Sequence, residues 1–214
     1  MVGKGHSNSC KHKESVIFAL NEKYAYICKN KHIINELMRI KGDNVTVKQL
    51  FFLCLYYGFA RHLPSRHLGG KELRRWCCKR IFKHCGDNVN VERGAKFGTG
   101  VGISLGDFAC LGINCKVPSN LIMGCEVMMG PDCTILDRNH EYSRIDIPIG
   151  RQGETERMPV TIEDDVWIGC QVLIMPGRTI RKGSVIAGGC VLCKDFPEYS
   201  VIGGNPSRLI KSRK

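Results

Sequence analysis

The chain of 214 residues contains no apolar run long enough to cross a lipid bilayer. The longest such run, residues 50–60, is about half of the roughly 20 residues that a transmembrane helix needs. The first residues are polar and no apolar stretch follows them, so the sequence predicts no secretion signal. These two absences predict a cytoplasmic protein whose 13 cysteines are reduced thiols rather than disulfides.

Acidic residues are scarce in the first 84 positions, which hold 17 Lys and Arg but only 5 Asp and Glu. The remaining residues balance the two signs, with 15 of each. A basic segment can meet nucleic acid, anionic lipid or an acidic glycan. No recognised nucleic-acid motif accompanies the charge, so we expect no nucleic-acid partner. The charge then covers a solvated helical surface, or residues 47–84 make a peripheral contact with a membrane.

Histidine is scarce after residue 84, where His140 is the only imidazole. This part of the chain therefore lacks the three histidine ligands of a carbonic anhydrase type of zinc site. The C-x-x-C pair formed by Cys190 and Cys193 has no second pair and no paired histidines nearby, so we expect no metal. Most of the cysteines are then small apolar fillers of a core.

The second half of the sequence has instead a regular six-residue repeat. One position in six is apolar: Cys85, Val91, Phe97 and Ile103, then, after a slip of two residues, Leu105, Leu111, Val117, Met123, Met129 and Ile135, and later Ile162, Ile168, Ile174, Ile180, Ile186 and Leu192. Six residues suit one short strand and one corner, so the repeat predicts a solenoid whose coils stack these side chains into a continuous core. Glycine often follows the apolar position, and we expect it to take the corners.

The repeat is interrupted between Ile135 and Ile162, which are 27 residues apart where one repeat needs six. The surplus predicts an excursion loop over residues 137–160. A long loop on a rigid scaffold is usually functional. Asn139 and His140 lie at its opening. Imidazole exchanges protons near neutral pH, so His140 is the candidate general base.

Four stretches in fixed order carry a resemblance to a known family. They are Asn139-His140 at the loop, PVTIEDDVWIGCQVLIMPG at residues 159–177, VIAGGCVLCKD at residues 185–195 and YSVIGGNPSRLIK at residues 199–211. Together they resemble the hexapeptide-repeat acyltransferases, in the branch of maltose, galactoside and xenobiotic O-acetyltransferases. The stretch LYYGFARHLP at residues 55–64 is similar to bacterial members associated with capsule and exopolysaccharide biosynthesis.

The resemblance implies an all-β solenoid, namely a left-handed parallel β-helix that carries the acyltransferase activity over residues 85–204. Residues 1–84 form a basic, helical N-terminal extension, with helices expected at about residues 12–40, 47–60 and 71–84, and the last of these can cap the first coil. Residues 205–214 form a basic C-terminal tail. Relatives implied by this resemblance are homotrimers with each site between two subunits.

The same resemblance implies an O-acetyltransferase that moves an acetyl group from acetyl-CoA to a hydroxyl of a sugar or glycan precursor. His140 would act as the base, with Asn139 beside it. The backbone amide of Cys170 would hold the oxyanion, and transfer would be direct rather than through an acyl-cysteine. Trp167 would wall the pantetheine or acetyl site.

The expected contacts with coenzyme A and with the acceptor extend along the coils. Gly188 would leave room for the cofactor, and Cys193, Lys194, Arg208 and Lys211 would complete its site. Tyr142 and Arg144, in the loop, would face the acceptor.

Other functions remain open at this stage. The acceptor could be a chloramphenicol-type xenobiotic or the amine of a nucleotide sugar, since related enzymes share these motifs. A non-catalytic scaffold would explain the repeats, but it would not explain the Asn139-His140 loop together with Lys194 and the basic tail.

Overall fold

The computed structural model describes residues 39–40, 43–65 and 69–214. The described residues divide into two units between residues 45 and 46. The described part of the first unit contains an antiparallel pair, β1 (Arg39–Ile40) and β2 (Asp43–Asn44). The helix expected at about residues 12–40 lies outside the described residues, except for its last two positions, which are strand.

The second unit begins with two helices, as the sequence predicted at about residues 47–60 and 71–84. Helix α1 is Val47–Gly58, a 3-10 turn follows at Ala60–His62, and helix α2 is Gly70–Ile81. A capping box starts α1, because Thr46 accepts from the Gln49 amide while the Gln49 side chain accepts from the Thr46 amide. No described helix is long and apolar enough to span a bilayer.

Short parallel strands then wind into a left-handed β-helix with three faces. Face A contains β3 (His84–Cys85), β5 (Ser104–Leu105), β7 (Ile122–Met123), β10 (Thr161–Ile162) and β13 (Thr179–Ile180). Face B contains β4 (Asn90–Val91), β6 (Cys110–Leu111), β8 (Met128–Met129), β11 (Trp167–Ile168), β14 (Val185–Ile186) and β16 (Ser200–Gly203), closed by antiparallel β17 (Arg208–Ser212). Face C contains the bridges of Lys96, Lys116 and Thr134, then β9 (Thr134–Ile135), β12 (Leu173–Ile174) and β15 (Val191–Leu192).

Each two-residue strand of the β-helix points its first side chain outward and its second inward, which confirms the six-residue column predicted from the sequence. Leu105, Leu111, Ile168, Ile174 and Ile186 are all fully buried. Partners in successive coils are aligned, as in Leu105 with Met123 and Ile168 with Ile186. The core is therefore continuous from the first coil to the last, which no single coil could achieve.

The glycines after the apolar column do not take the corners as expected, with Gly98 as the exception. An added Cβ at Gly112 would lie 2.0 Å from the Gly130 carbonyl oxygen, and one at Gly130 would lie 2.7 Å from the Gly169 carbonyl carbon. These glycines are needed because stacked backbones approach too closely for a side chain. The left-handed conformation falls two residues later, where Asn114, Asp132 and other polar residues often adopt it.

The two-residue slip in the repeat lies between Phe97 and Leu105 rather than after Ile103. Ile103 is fully buried, but its carbonyl accepts from His84 in the same way that the Leu121 carbonyl accepts from Ser104. Ile103 thus occupies the small-residue position of the coil. The first coil is two residues longer than the second, and the extra length lies at the corner after Phe97.

The helices close the open end of the β-helix by satisfying carbonyl groups of the first coil. Among the described residues no coil precedes this one, so its outward carbonyls lack a ladder partner. Arg74 Nε donates to the Val91 carbonyl at 2.6 Å, Arg75 Nε to Val89 at 2.8 Å, and the Tyr56 hydroxyl to Ala95 at 3.0 Å. The structure therefore agrees with a capping role for α2, and it adds α1 to the cap. The division of the chain at residues 84 and 204 stays a prediction.

Arg74 is the centre of this cap, because it is fully buried and also donates to Leu63 and Ser65. We expect Arg74→Met to lower the free energy of unfolding by about 3 kcal/mol, since several buried carbonyls lose their donor. Urea denaturation measures this change, and Lys48→Met, at an exposed position of α1, is the control. Equal stability of the two variants would contradict the capping role of Arg74.

Candidate functional site

The excursion loop leaves the β-helix after face C of the third coil and returns to face A. Its two arms pair across their bases: Glu141 donates from its amide to the Gly153 carbonyl at 3.0 Å, and Thr155 donates to Asn139 at 2.9 Å. His140 faces Glu154 in an antiparallel bridge between these bonds. The two arms of the loop are therefore hydrogen-bonded to each other at their bases. The His140 side chain is exposed on this fixed backbone.

Charged side chains hold the base of the loop. Asp137 makes ion pairs with Arg138 at 3.4 Å and with Arg157 at 3.7 Å, and Arg138 also contacts Glu154 at 2.6 Å. The Asn139 amide donates to the Thr155 hydroxyl at 3.0 Å. Sequence reasoning missed this network because its members lie on both sides of the loop and follow no repeat. Its effect is to fix the backbone on which Asn139 and His140 stand.

Cys170 and Gly188 lie together at the corner between faces B and C, which we call the B/C edge. Gly189 donates to the Cys170 carbonyl at 2.9 Å, and a Cβ added at Gly188 would lie 3.2 Å from Cys170 Sγ. Gly188 thus keeps open the space beside Cys170. Within residues 43–65 and 69–214, the Cys170 amide N–H makes no hydrogen bond to protein. An N–H without a protein acceptor is what an oxyanion site requires.

The buried cysteines behave as the core fillers that the sequence predicted. Burial raises the pKa of the thiols of Cys115, Cys133 and Cys190. A raised pKa keeps a thiol protonated and unreactive at neutral pH. Cys170 differs from these three because its side chain is exposed at the B/C edge.

Trp167 and Lys211 lie on the outer surface of face B. The Trp167 side chain is 52 % exposed and shares its outer row with Met128 and Val185, its partners in the neighbouring coils. Lys211 is exposed on β17, where it pairs with Val201. An exposed row of this kind offers an apolar surface to a ligand. Trp167 does not pack in the core, so core packing does not explain this tryptophan.

Cys193 and Lys194 follow β15 at the corner between faces C and A, which we call the C/A edge. The Cys193 amide donates to the Ser207 hydroxyl at 3.2 Å, and the same hydroxyl contacts Cys193 Sγ at 3.4 Å. Hydrogen bonding by Ser207 lowers the pKa of the Cys193 thiol. The Lys194 ammonium lies 5.4 Å from the centre of the Phe196 ring. Ser207 is a contact of Cys193 that the sequence did not indicate.

Arg208 and the two loop residues expected at the acceptor are all exposed. Arg208 pairs with Gly203, one coil beyond Gly188, so it lies near the B/C edge. Tyr142 is 71 % exposed, and Arg144 forms an ion pair with Asp146 through its Nε at 3.0 Å. Arg144 is therefore engaged within its own loop.

Within one chain, some of the expected site residues lie on the same edge and others lie on a different edge. Cys170, Gly188 and Arg208 follow one another along the B/C edge, whereas the loop with His140 leaves from the C/A edge. At about 3.3 Å per residue, the width of face C separates the two edges by roughly 15 Å. In the described part of the chain, no three His, Cys, Asp or Glu side chains cluster as metal ligands would.

Comparison with known proteins gives consistent matches. The family described as bacterial transferase hexapeptide (six repeats) matches residues 159–194. The galactoside O-acetyltransferase of Escherichia coli strain K12 is 30 % identical over 171 residues, which are 79 % of this chain and 81 % of that protein.

Two solved structures extend the likeness to the fold. A galactoside acetyltransferase in complex with coenzyme A superposes with a TM-score of 0.67 at 29 % identity, covering 83 % of this chain and 90 % of the other. A hexapeptide-repeat acetyltransferase of Vibrio cholerae O1 biovar eltor, complexed with acetyl coenzyme A, gives 0.64 at 27 % identity, covering 84 % and 98 %.

The lowered pKa of Cys193 leads to a test of the C/A edge. A lower pKa gives more thiolate at a given pH. Alkylation of Cys193 by iodoacetamide should therefore reach half of its maximal rate at a lower pH than alkylation of an ordinary cysteine thiol. We expect Ser207→Ala to shift this midpoint to higher pH, since the hydrogen bond that stabilises the thiolate is lost. Peptide mass spectrometry after timed labelling follows Cys193, with the exposed Cys125 as internal reference. An unchanged midpoint would count against the Ser207 contact.

Proposed function

The chain belongs to the hexapeptide-repeat family of acetyltransferases, and we propose that it transfers an acetyl group from acetyl-CoA to a hydroxyl of a sugar or glycan precursor. The observation that carries this proposal is that the chain holds an ordered loop presenting His140 at the C/A edge and, at the B/C edge, the Cys170 amide without a protein acceptor. The relatives that bind coenzyme A and acetyl coenzyme A, and the galactoside O-acetyltransferases among them, support the donor and the chemistry.

Coenzyme A would lie along the B/C edge with its thioester beside Cys170. Gly188 supports this placement because any larger residue would crowd the Cys170 thiol. Arg208, on β17 beside Gly203, would pair with cofactor phosphates, and Lys211 on the same strand would lie nearby. Lys194 and Cys193 lie at the C/A edge, so they would complete the nucleotide end from a neighbouring chain. Exposed Trp167 would wall the pantetheine or acetyl group from face B.

His140 would act as the general base in a direct transfer. Its imidazole takes the proton of the acceptor hydroxyl as that oxygen attacks the thioester carbon. The carbonyl oxygen gains negative charge, and the Cys170 amide N–H donates to it. When the C–S bond breaks, the imidazolium returns the proton to the leaving thiolate, so the base is restored. Asn139 supports this role by tying the backbone before His140 to both the amide and the hydroxyl of Thr155.

A homotrimer with sites between subunits would bring these groups together. His140 and Cys170 belong to opposite edges of face C in one chain, so one chain leaves each without the other. In a closed threefold ring the C/A edge of one chain can meet the B/C edge of the next. This need for a second edge is the structural support for the trimer, and it makes every site shared.

The acceptor remains the least constrained part of the proposal. A sugar hydroxyl fits a loop rich in polar groups, among them Tyr142 and Arg144. A chloramphenicol-type xenobiotic and the amine of a nucleotide sugar are the alternatives, and both would use the same base and amide. The role in polysaccharide biosynthesis, the cytoplasmic location and the contact of residues 47–84 with a membrane stay predictions.

Replacing His140 tests the base directly. We expect His140→Ala to lower the rate of acetyl transfer by about 10²- to 10⁴-fold, since the attacking hydroxyl keeps its proton. The rate is followed as release of free thiol from acetyl-CoA over a panel of simple sugars, nucleotide sugars and chloramphenicol. His84→Ala, at an exposed position of β3, is the matched control and should turn over like the parent. Parental rates for both variants would remove His140 from the mechanism.

Replacing Cys170 separates direct transfer from an acyl-cysteine route. We expect Cys170→Ala to retain most of the transfer activity, because the backbone amide stays and only the thiol is lost. Single-turnover kinetics together with mass spectrometry of the acid-quenched enzyme check both points. Near-total loss of activity, or an acetyl group covalently attached to Cys170 in the parent, would favour the covalent route instead.

A further inference from the structure

A cationic pocket lies on the same B/C edge, toward the N-terminal end of the β-helix. Its volume is about 240 Å³, and its lining combines three basic side chains with smaller polar ones: Arg61, Gly94, Lys96, Asn114, Lys116, Asp132 and Thr134. Arg61 is anchored there, because its Nε donates to the Gly94 carbonyl at 3.2 Å and its own carbonyl accepts from the Gly94 amide at 3.0 Å. Three positive charges against one carboxylate give the pocket a net positive charge.

The pairing of Lys96 with Lys116 does not favour folding, so folding does not explain it. Lys96 and Lys116 are direct partners in adjacent parallel coils, so their side chains project side by side from face C. Strands in a sheet lie about 4.8 Å apart, and like charges placed directly opposite destabilise it. Among residues 43–65 and 69–214, neither ammonium has an ion-pair partner. The single pocket carboxylate, Asp132, accepts instead from the Asn114 amide group at 3.2 Å.

The pocket shares a continuous backbone ladder with the residues proposed for acyl transfer. Along the B/C edge, Asn114 donates to Arg93 at 3.0 Å, Asp132 to Ile113 at 2.8 Å and Gln171 to Pro131 at 2.9 Å. Cys170 therefore stands two coils beyond Asn114 and Lys116. At about 4.8 Å per coil, the centre of the pocket is roughly 10 Å from the Cys170 amide.

We infer that this pocket binds an anionic group of the acceptor, a phosphate or a carboxylate carried by the sugar. The inference rests on the proposed transfer reaction, and it narrows the acceptor class to acidic sugars. Lys96, Lys116 and Arg61 neutralise the anion, and Asn114 and Thr134 offer further hydrogen bonds. The acceptor then extends along the edge toward Cys170, with its reactive hydroxyl beside the thioester.

Coenzyme A is also an anion, but its expected contacts lie in the opposite direction. Gly188 is one coil beyond Cys170, and Arg208 lies further in the same direction, because it pairs with Gly203 of the coil beyond Gly188. The pocket lies on the N-terminal side of Cys170. Donor and acceptor would thus approach the same amide from the two ends of one edge.

The test is equilibrium binding to the full chain, measured by calorimetry with glucose 6-phosphate, glucuronate and glucose as probes. We expect the parent to bind the two anions more tightly than glucose, and added salt to weaken that binding. In the double variant Lys96→Gln/Lys116→Gln, affinity for the anions should fall at least about tenfold, since two charge-assisted contacts are lost. Lys182→Gln, an exposed lysine on another edge, is the control and should bind like the parent.

The outcomes separate this inference from the proposed function. Tighter binding of glucose 6-phosphate than of glucuronate identifies a phosphate acceptor, and the reverse identifies a uronic acid. Equal affinity of parent and double variant for both anions, or no binding of either at millimolar concentration, overturns the pocket but leaves His140-dependent thiol release intact. Lysine-dependent anion binding without any acetyl transfer would instead overturn the proposed function and leave the anion site standing.

Once an acceptor that the enzyme acetylates is known, its KM provides a second measurement. The double variant should raise the KM for an anionic acceptor at least about tenfold and leave the KM for acetyl-CoA unchanged, because the cofactor lies on the other side of Cys170. A parallel rise in both KM values would place the cofactor in the pocket and overturn the inference.

Discussion

The backbone hydrogen bonds between successive coils are the constraint on which the rest of the structure depends. They hold neighbouring coils at strand spacing, and this spacing leaves no room for a side chain where Gly112, Gly130 and Gly169 are stacked. The same bonds align the apolar residues into a column and fix the outward side chains in straight rows. They also create the unpaired carbonyls of the first coil, which the buried Arg74 and its neighbours on the two helices satisfy.

A rigid stack of this kind positions chemistry along its corners. At the B/C edge the backbone is regular in all coils, yet each coil contributes a different surface: cationic around Lys116, open at Cys170 and Gly188, and basic again at Arg208. The excursion loop is the exception to the regularity, and it is held by its own ion pairs rather than by the ladder. In one chain the fold therefore places the Cys170 amide and His140 at different edges, and the proposed site needs a second chain to bring them together.

The fold was largely predictable, because the six-residue period depends only on which positions face the core. Ile103 shows where this reasoning failed: two extra residues in the first coil shift the phase, and an apolar residue fits either of two buried positions. The same slip concealed the pairing of Lys96 with Lys116, since they are 20 residues apart where a regular coil has 18. The position of His140 at the start of the excursion loop was predictable from the break in the repeat, and its role as the base stays a prediction. The contacts of Ser207 and Glu154 were not, because they join segments distant in sequence and follow no period.

The uniform rise of the coils has a consequence for how such a protein can diversify. Every coil adds the same length of about 4.8 Å to the B/C edge, so the distance between the cationic pocket and the Cys170 amide can change only by whole coils. Equivalent positions along the edge are therefore evenly spaced. Moving a lysine by one coil, without altering the core or the base, would select an acceptor longer or shorter by one such step.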